Sequence, residues 1–244
     1  MLIKVINPNT TWSMTEKIGD CARSVASAGT VIEAVSPSMG PASIESHYDE
    51  ALAVPGVLDE IARGEREGAD GYVLACFGDP GLDAARELAT GPVVAIAEAG
   101  MKVATYLGRG FTVVTTLERT IGRAWDLAAL YGVKDACRNI RACEIPVLDL
   151  EIPGSPARAV ITAECARAVA EDGCDVIVLG CAGMADLAAS ISRSIGVPVV
   201  DGVAAATTMV QSLVTMGLTT STRCEFAPPR AKDVRGLLSD FALT

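Results

Sequence analysis

Aromatic side chains are scarce in this chain: Phe, Tyr and Trp make up 4% of its 244 residues, too few to build stacking platforms for nucleic-acid bases. Basic residues are also in deficit, 20 Lys and Arg against 30 Asp and Glu. The resulting formal charge of −10 opposes binding to a phosphate backbone or an anionic membrane surface. No run of about 18 apolar residues is present that would span a bilayer. The apolar start breaks at Asn7-Pro8-Asn9, too early for the hydrophobic region of an export signal. A soluble cytoplasmic protein is expected, with neither nucleic acid nor membrane as partner.

Histidine is almost missing too. His47 is the single imidazole, and it reads as an exposed residue at a helix start. The eight cysteines include no Cys-x-x-Cys pair, which removes the spacing of a zinc site or a dithiol redox pair. No P-loop occurs. Gly108-Arg109-Gly110 precedes a strand instead of following one and lacks the third glycine of a dinucleotide fingerprint. The chain is therefore expected to work without metal or cofactor.

With half of the residues hydrophobic and so few aromatic, the core is filled by Ala, Val, Leu and Ile, the composition of parallel sheets covered by helices. Apolar runs predict strands over 2–6, 31–35, 71–75, 93–96, 111–114, 176–179 and 197–200. Between them helices are predicted over 14–26, 49–66, 82–88, 121–131, 163–171, 184–195 and 203–216. This alternation is a βαβ rhythm.

The rhythm occurs twice. Gly68–Leu82 aligns with Gly173–Leu187 at a constant offset of 105 residues, pairing Asp70 with Asp175, Leu74 with Leu179, Cys76 with Cys181 and Gly78 with Gly183. Gly91-Pro-Val-Val likewise matches Val197-Pro-Val-Val. The expected fold is α/β, with two pseudo-symmetric Rossmann-like lobes of parallel strands and an active site in the cleft between them. Lobe one covers about 1–97, completed by 203–244, and lobe two about 98–202.

An isolated cysteine in such a chain reads as a small buried hydrophobe. Two at equivalent strand ends, each followed by a glycine-bearing turn, read as thiols on either side of a cleft, the layout of a two-base proton shuttle. In Phe77-Gly78-Asp79-Pro80-Gly81, Asp79 suits the N-cap and Pro80 the first position of a helix. Backbone N–H groups and a helix dipole there are expected to lower the thiol pKa, and Ala182-Gly183 repeats the arrangement for Cys181. The other six cysteines are placed in helices or loops and given a structural role. Asn7, Asn9, Thr10, Thr115 and Thr116 end the first strand of each lobe. They are uncharged donors and acceptors, suited both to capping and to a neutral amide or imide ligand. The Gly40–Ser46 segment is positioned to close over the cleft and contributes Ser43 to the expected substrate contacts. Ser46 reads as the cap of the helix that follows.

The motifs INPNTT, GPASIESHYDEA, ACFGDPGLDAAREL, GPVVAIAEA, VVTT, VLGCAGMADL and GVPVVDGVAAA, spread from residue 3 to about 217, resemble the hydantoin racemase family, including the allantoin racemases, of the aspartate/glutamate racemase superfamily. The resemblance implies a cofactor-independent, homo-oligomeric racemase of 5-substituted hydantoins, cyclic ureides. Cys76 and Cys181 are then the catalytic pair, and Asn7, Asn9, Phe77, Gly78, Thr115, Thr116, Ala182 and Gly183 bind substrate. Rival readings are a maleate isomerase-like or arylmalonate decarboxylase-like enzyme of the same superfamily, the latter needing one cysteine only, and a non-catalytic two-lobed binding protein, which needs none.

Overall fold

The computed structural model describes residues 1–243. Thr244, the last residue of the segment expected to complete lobe one, lies outside them. Eight strands form two four-stranded parallel sheets. The first contains β1 (Leu2–Ile6), β2 (Val31–Val35), β3 (Gly71–Leu74) and β4 (Val93–Ala95) in the order β2-β1-β3-β4. The second contains β5 (Phe111–Thr115), β6 (Cys137–Ala142), β7 (Val176–Leu179) and β8 (Val199–Val200) in the order β6-β5-β7-β8. Each strand of one sheet thus has its counterpart in the other. Register follows suit, with Ile3 opposite Gly71 and Phe111 opposite Val176.

Both sheets are covered by helices: α1 (Trp12–Ser24), α2 (His47–Glu67), α3 (Leu82–Leu88), α4 (Ile96–Leu107), α5 (Ile121–Leu130), α6 (Ala157–Asp172), α7 (Ala188–Ile195) and α8 (Gly202–Thr215). The strands β3 and β7 are buried along their whole length, as double-sided helix cover requires. Helix α8 lies on β3 and β4, α4 lies on β7, and the two helices pack against each other. One apolar cluster therefore runs from Ile3, Val5 and Val73 of the first sheet through Ala97, Met101 and Val203 to Phe111, Val113 and Val178 of the second.

Two elements escape the sequence pattern. Strand β6, Cys-Arg-Asn-Ile-Arg-Ala, is the edge of its sheet and is only partly buried, so polar residues interrupt the apolar alternation, and Cys137 lies in a strand, not in a helix or loop. Helix α4 follows β4 directly with Ala95 at its N-cap position and carries no local start signal. Its cap comes from 18 residues upstream, where Asp79 accepts hydrogen bonds from the N–H groups of Ala97 (3.1 Å) and Glu98 (3.0 Å). This corrects the expectation for Asp79 and Pro80: the cap position of α3 is Gly81, and α3 begins at Leu82. The predicted helix over 184–195 divides into a 3-10 turn, Ala182–Leu187, and α7. Ser46 does cap α2, accepting from the Asp49 N–H at 3.2 Å.

Where α4 meets α8 the backbones approach closely. A Cβ on Gly202 would lie 2.5 Å from the Ile96 carbonyl oxygen and 2.8 Å from the Ile96 Cβ. Gly202→Ala is accordingly expected to cost about 1–3 kcal/mol through overpacking, read as a lowered urea midpoint. A midpoint matching the parent would show that the helices part without penalty.

Candidate active site

The carboxyl ends of the two central strand pairs, β1/β3 and β5/β7, face one pocket, as expected for ligand sites in open α/β sheets. Cys76 stands two residues beyond β3 and Cys181 two beyond β7, and both line this pocket. So do Asn9, Phe77, Gly78, Thr115, Thr116 and Ala182. Asn7, Ser43 and Gly183, expected among the substrate contacts, are not among the lining residues; Gly183 lines a neighbouring cavity instead. The Asn7 amide donates to the Asn9 side chain at 2.9 Å and to Thr15 Oγ1 at 3.0 Å, fixing the loop that presents Asn9. Thr115 donates to the Gly180 carbonyl at 3.2 Å and so ties the β5 end to the approach to Cys181.

Each sulfur feels the backbone N–H of the glycine two residues on, Gly78 for Cys76 and Gly183 for Cys181. These N–H groups lower the thiol pKa, as the glycine turns suggest. They are outweighed. The surrounding protein strips the thiols of water, and this desolvation pushes both up: Cys181 to about 11, Cys76 further. For Cys76 the charges of Cys181, Glu50 and Asp79 add to the rise. For Cys181, Lys17 opposes it. The expectation of lowered thiols is thus reversed, because a turn supplies one N–H per sulfur while the walls of the pocket remove most of its hydration.

Ionisable residues complete the rim, of which the sequence pattern singles out only His47. Glu45, His47 and Glu50 come from the start of α2 and the loop before it, and Arg119 and Arg123 from the start of α5 and the turn before it. Most are engaged across the cleft. Glu45 accepts the Val147 N–H at 2.7 Å, Arg123 donates twice to the Gly78 carbonyl at 2.8 and 3.1 Å, and Glu50 lies 3.6 Å from Arg123. Tyr131 donates to Asp79 at 2.5 Å, and Lys17 pairs with Glu151 at 2.7 Å. His47 is exposed, 3.7 Å from Glu50. Among the described residues no cluster of His, Cys, Asp or Glu is arranged to hold a metal.

Fold and site define a two-lobed α/β protein whose duplicated sheets bring two thiols into one pocket. The model of the Asp/Glu/Hydantoin racemase family matches residues 3–210, and the chain belongs to that family. It is 47% identical to a hydantoin racemase of Pseudomonas sp. (strain NS671), over 99% of this chain and 97% of that one. It is also 47% identical to a hydantoin racemase of Rhizobium meliloti, over 97% and 98%. An allantoin racemase from Klebsiella pneumoniae superposes with a TM-score of 0.97 at 49% identity, covering 99% of both chains. Arylmalonate decarboxylase, at 18% identity and a TM-score of 0.62, shares the fold. The protein is an isomerase of the racemase type.

The upward shifts have a definite sign. Below pH 11 Cys181 is mostly a neutral thiol, and Cys76 more completely so. Iodoacetamide labelling of Cys181, followed peptide by peptide with mass spectrometry, is expected to climb about tenfold per pH unit between about pH 7 and 10 without levelling. A plateau reached by about pH 8 would indicate a thiolate that the turn stabilises after all.

Proposed function

We propose that the pocket racemises 5-substituted hydantoins, allantoin among them, by passing the C5 proton between two cysteines without metal or organic cofactor. The observation that carries this reading is the placement of Cys76 and Cys181 at equivalent strand ends of two sheets, lining one pocket. Removal of a proton from one face of a carbon and delivery to the other needs a base and an acid together. The unequal environments of the thiols supply them: Cys181 is the first to ionise, and its charge raises the cost of ionising Cys76, which keeps its proton. The roles exchange when the other enantiomer binds.

Desolvation has two opposing effects on rate. About three units below its pKa of about 11, at pH 8, ionising Cys181 costs about 4 kcal/mol, so few molecules carry the thiolate. That thiolate is correspondingly basic, which suits a weakly acidic C–H bond. As the proton leaves C5, negative charge moves to the adjacent ring carbonyl. The N–H groups of Phe77 and Ala182, which directly follow the two cysteines, are fixed donors that stabilise it without reorganisation. Asn9, Thr115 and Thr116 provide uncharged partners for the ring amide and imide. The names of the relatives, hydantoin and allantoin racemases, support this substrate class. A decarboxylase-like mechanism with one thiol leaves the second cysteine without work.

Cys76→Ser and Cys181→Ser are each expected to lower racemisation about 10²–10⁴-fold, the usual worth of a general acid or base. In D₂O each variant is expected to exchange C5–H of one enantiomer with retention, the two variants favouring opposite enantiomers. Exchange of the same enantiomer by both would overturn the opposed-face assignment. Activity is expected to survive EDTA; complete loss restored by a divalent metal would end the thiol-only reading.

A further inference from the structure

We propose that Arg123 is a positioning residue for Cys76: helix α5 of the second lobe clamps the Cys76–Asp79 turn of the first, and so holds the thiol in place at the pocket. The proposal rests on the two-cysteine reading above. Its geometry is independent of that reading.

The turn is unusual in its own backbone. Asp79 has φ of 48°, a left-handed conformation that non-glycine residues seldom adopt. Such a residue persists where its surroundings hold it, and here they do so from both lobes. Within the turn, the Asp79 N–H donates to the Cys76 carbonyl at 3.0 Å. The Asp79 carboxylate is bound by α4 through two N–H groups and by the Tyr131 hydroxyl at the end of α5. In its first turn, α5 also presents Arg123, whose Nε and Nη2 hold the Gly78 carbonyl at 3.1 and 2.8 Å. This oxygen belongs to the peptide between Gly78 and Asp79, the one that carries the strained residue.

The opposite side of Gly78 is closed by Glu50. A Cβ at position 78 would collide with Glu50 Oε1, and Glu50 is itself 3.6 Å from Arg123. Gly78 is thus held between a carboxylate over its Cα and a guanidinium on its carbonyl. The second site lacks such a clamp. A Cβ on Gly183 would meet Leu150 Cδ1 at 2.9 Å and Met14 Cε at 3.5 Å, and no guanidinium holds this glycine's carbonyl among the described residues. The two thiols are therefore positioned by different means, the Cys76 turn by ionic and polar contacts across the cleft, the Cys181 turn by apolar packing. A change at Arg123 is expected to act chiefly on one face of the substrate.

The test places Arg123→Gln in each single-cysteine background and follows deuterium entry at C5 of the enantiopure hydantoin that background exchanges. In Cys181→Ser, where Cys76 works alone, Arg123→Gln is expected to slow exchange at least about tenfold with KM changed by less than about threefold, and Arg123→Lys to recover most of the loss. In Cys76→Ser, where Arg123 acts only as part of the pocket wall, Arg123→Gln is expected to slow exchange at least about fivefold less than in Cys181→Ser. Backbone amide exchange gives a readout that needs no substrate: Arg123→Gln in the otherwise intact chain is expected to speed exchange over residues 76–81 about tenfold and leave 181–187 unchanged. Tyr131→Phe, which removes only the hydroxyl on Asp79, is expected to give the same pattern at smaller amplitude and serves if Arg123→Gln does not fold. Equal slowing in both backgrounds, or unaltered protection of 76–81, overturns the proposal. Lost protection at 76–81 together with no C5 exchange in either background while Arg123 is intact upholds the clamp and removes the two-cysteine reading instead.

Discussion

The carboxylate of Asp79, buried and 3% exposed, accepts the first free N–H groups of α4 and the hydroxyl of Tyr131. Three parts of the molecule depend on this cluster of hydrogen bonds. Helix α4, which carries the packing between the sheets, starts there without a cap of its own. The turn that presents Cys76 keeps its left-handed residue because the same carboxylate is anchored. The second lobe reaches the first through Tyr131. Burial pushes Asp79 up to about 7, against the pull of the three donors, so whatever charge it keeps near neutral pH depends on those donors.

The same tension between burial and donors recurs at the thiols. A cysteine at the mouth of an open turn would be acidic and weakly basic; a cysteine deep in an apolar wall would be inert. Cys76 and Cys181 lie between these limits, with one backbone N–H apiece and a surface that water reaches only through the pocket. The result is a pair in which the neutral state is the resting one and ionisation of the first member discourages that of the second. This is the charge state that a proton shuttle through a carbon acid requires.

Much of this was legible in the residues. Apolar runs gave β1, β2 and β7 their observed limits, because β7 is wholly apolar and only single charged residues, Lys4 and Glu33, interrupt β1 and β2, and the 105-residue offset revealed the duplicated sheet. Elements whose cause is remote in sequence were hidden. Strand β6 is polar because it lies at an edge, and α4 is capped by a residue from another loop. The rim charges Glu45, Glu50 and Arg123 gain their roles from partners across the cleft, Val147 and Gly78, that no local pattern joins to them. The direction of the thiol shifts was misread for a related reason: a glycine turn shows its N–H groups in the sequence, while the desolvating wall is assembled from both lobes.

The central claim is that proton removal and proton delivery belong to two different groups on two faces of one carbon. Circular dichroism of an enantiopure, fully protiated hydantoin racemising in D₂O tests it most directly. With two groups, the product enantiomer takes its hydrogen from solvent and is deuterated as it forms, and it returns more slowly because its C–D bond is the harder to break. The signal is then expected to pass through zero, reach the opposite sign and only afterwards decay to nothing. A monotonic approach to zero, with product that retains the original proton, would contradict the account, since it would mean that one group both removes the proton and returns it.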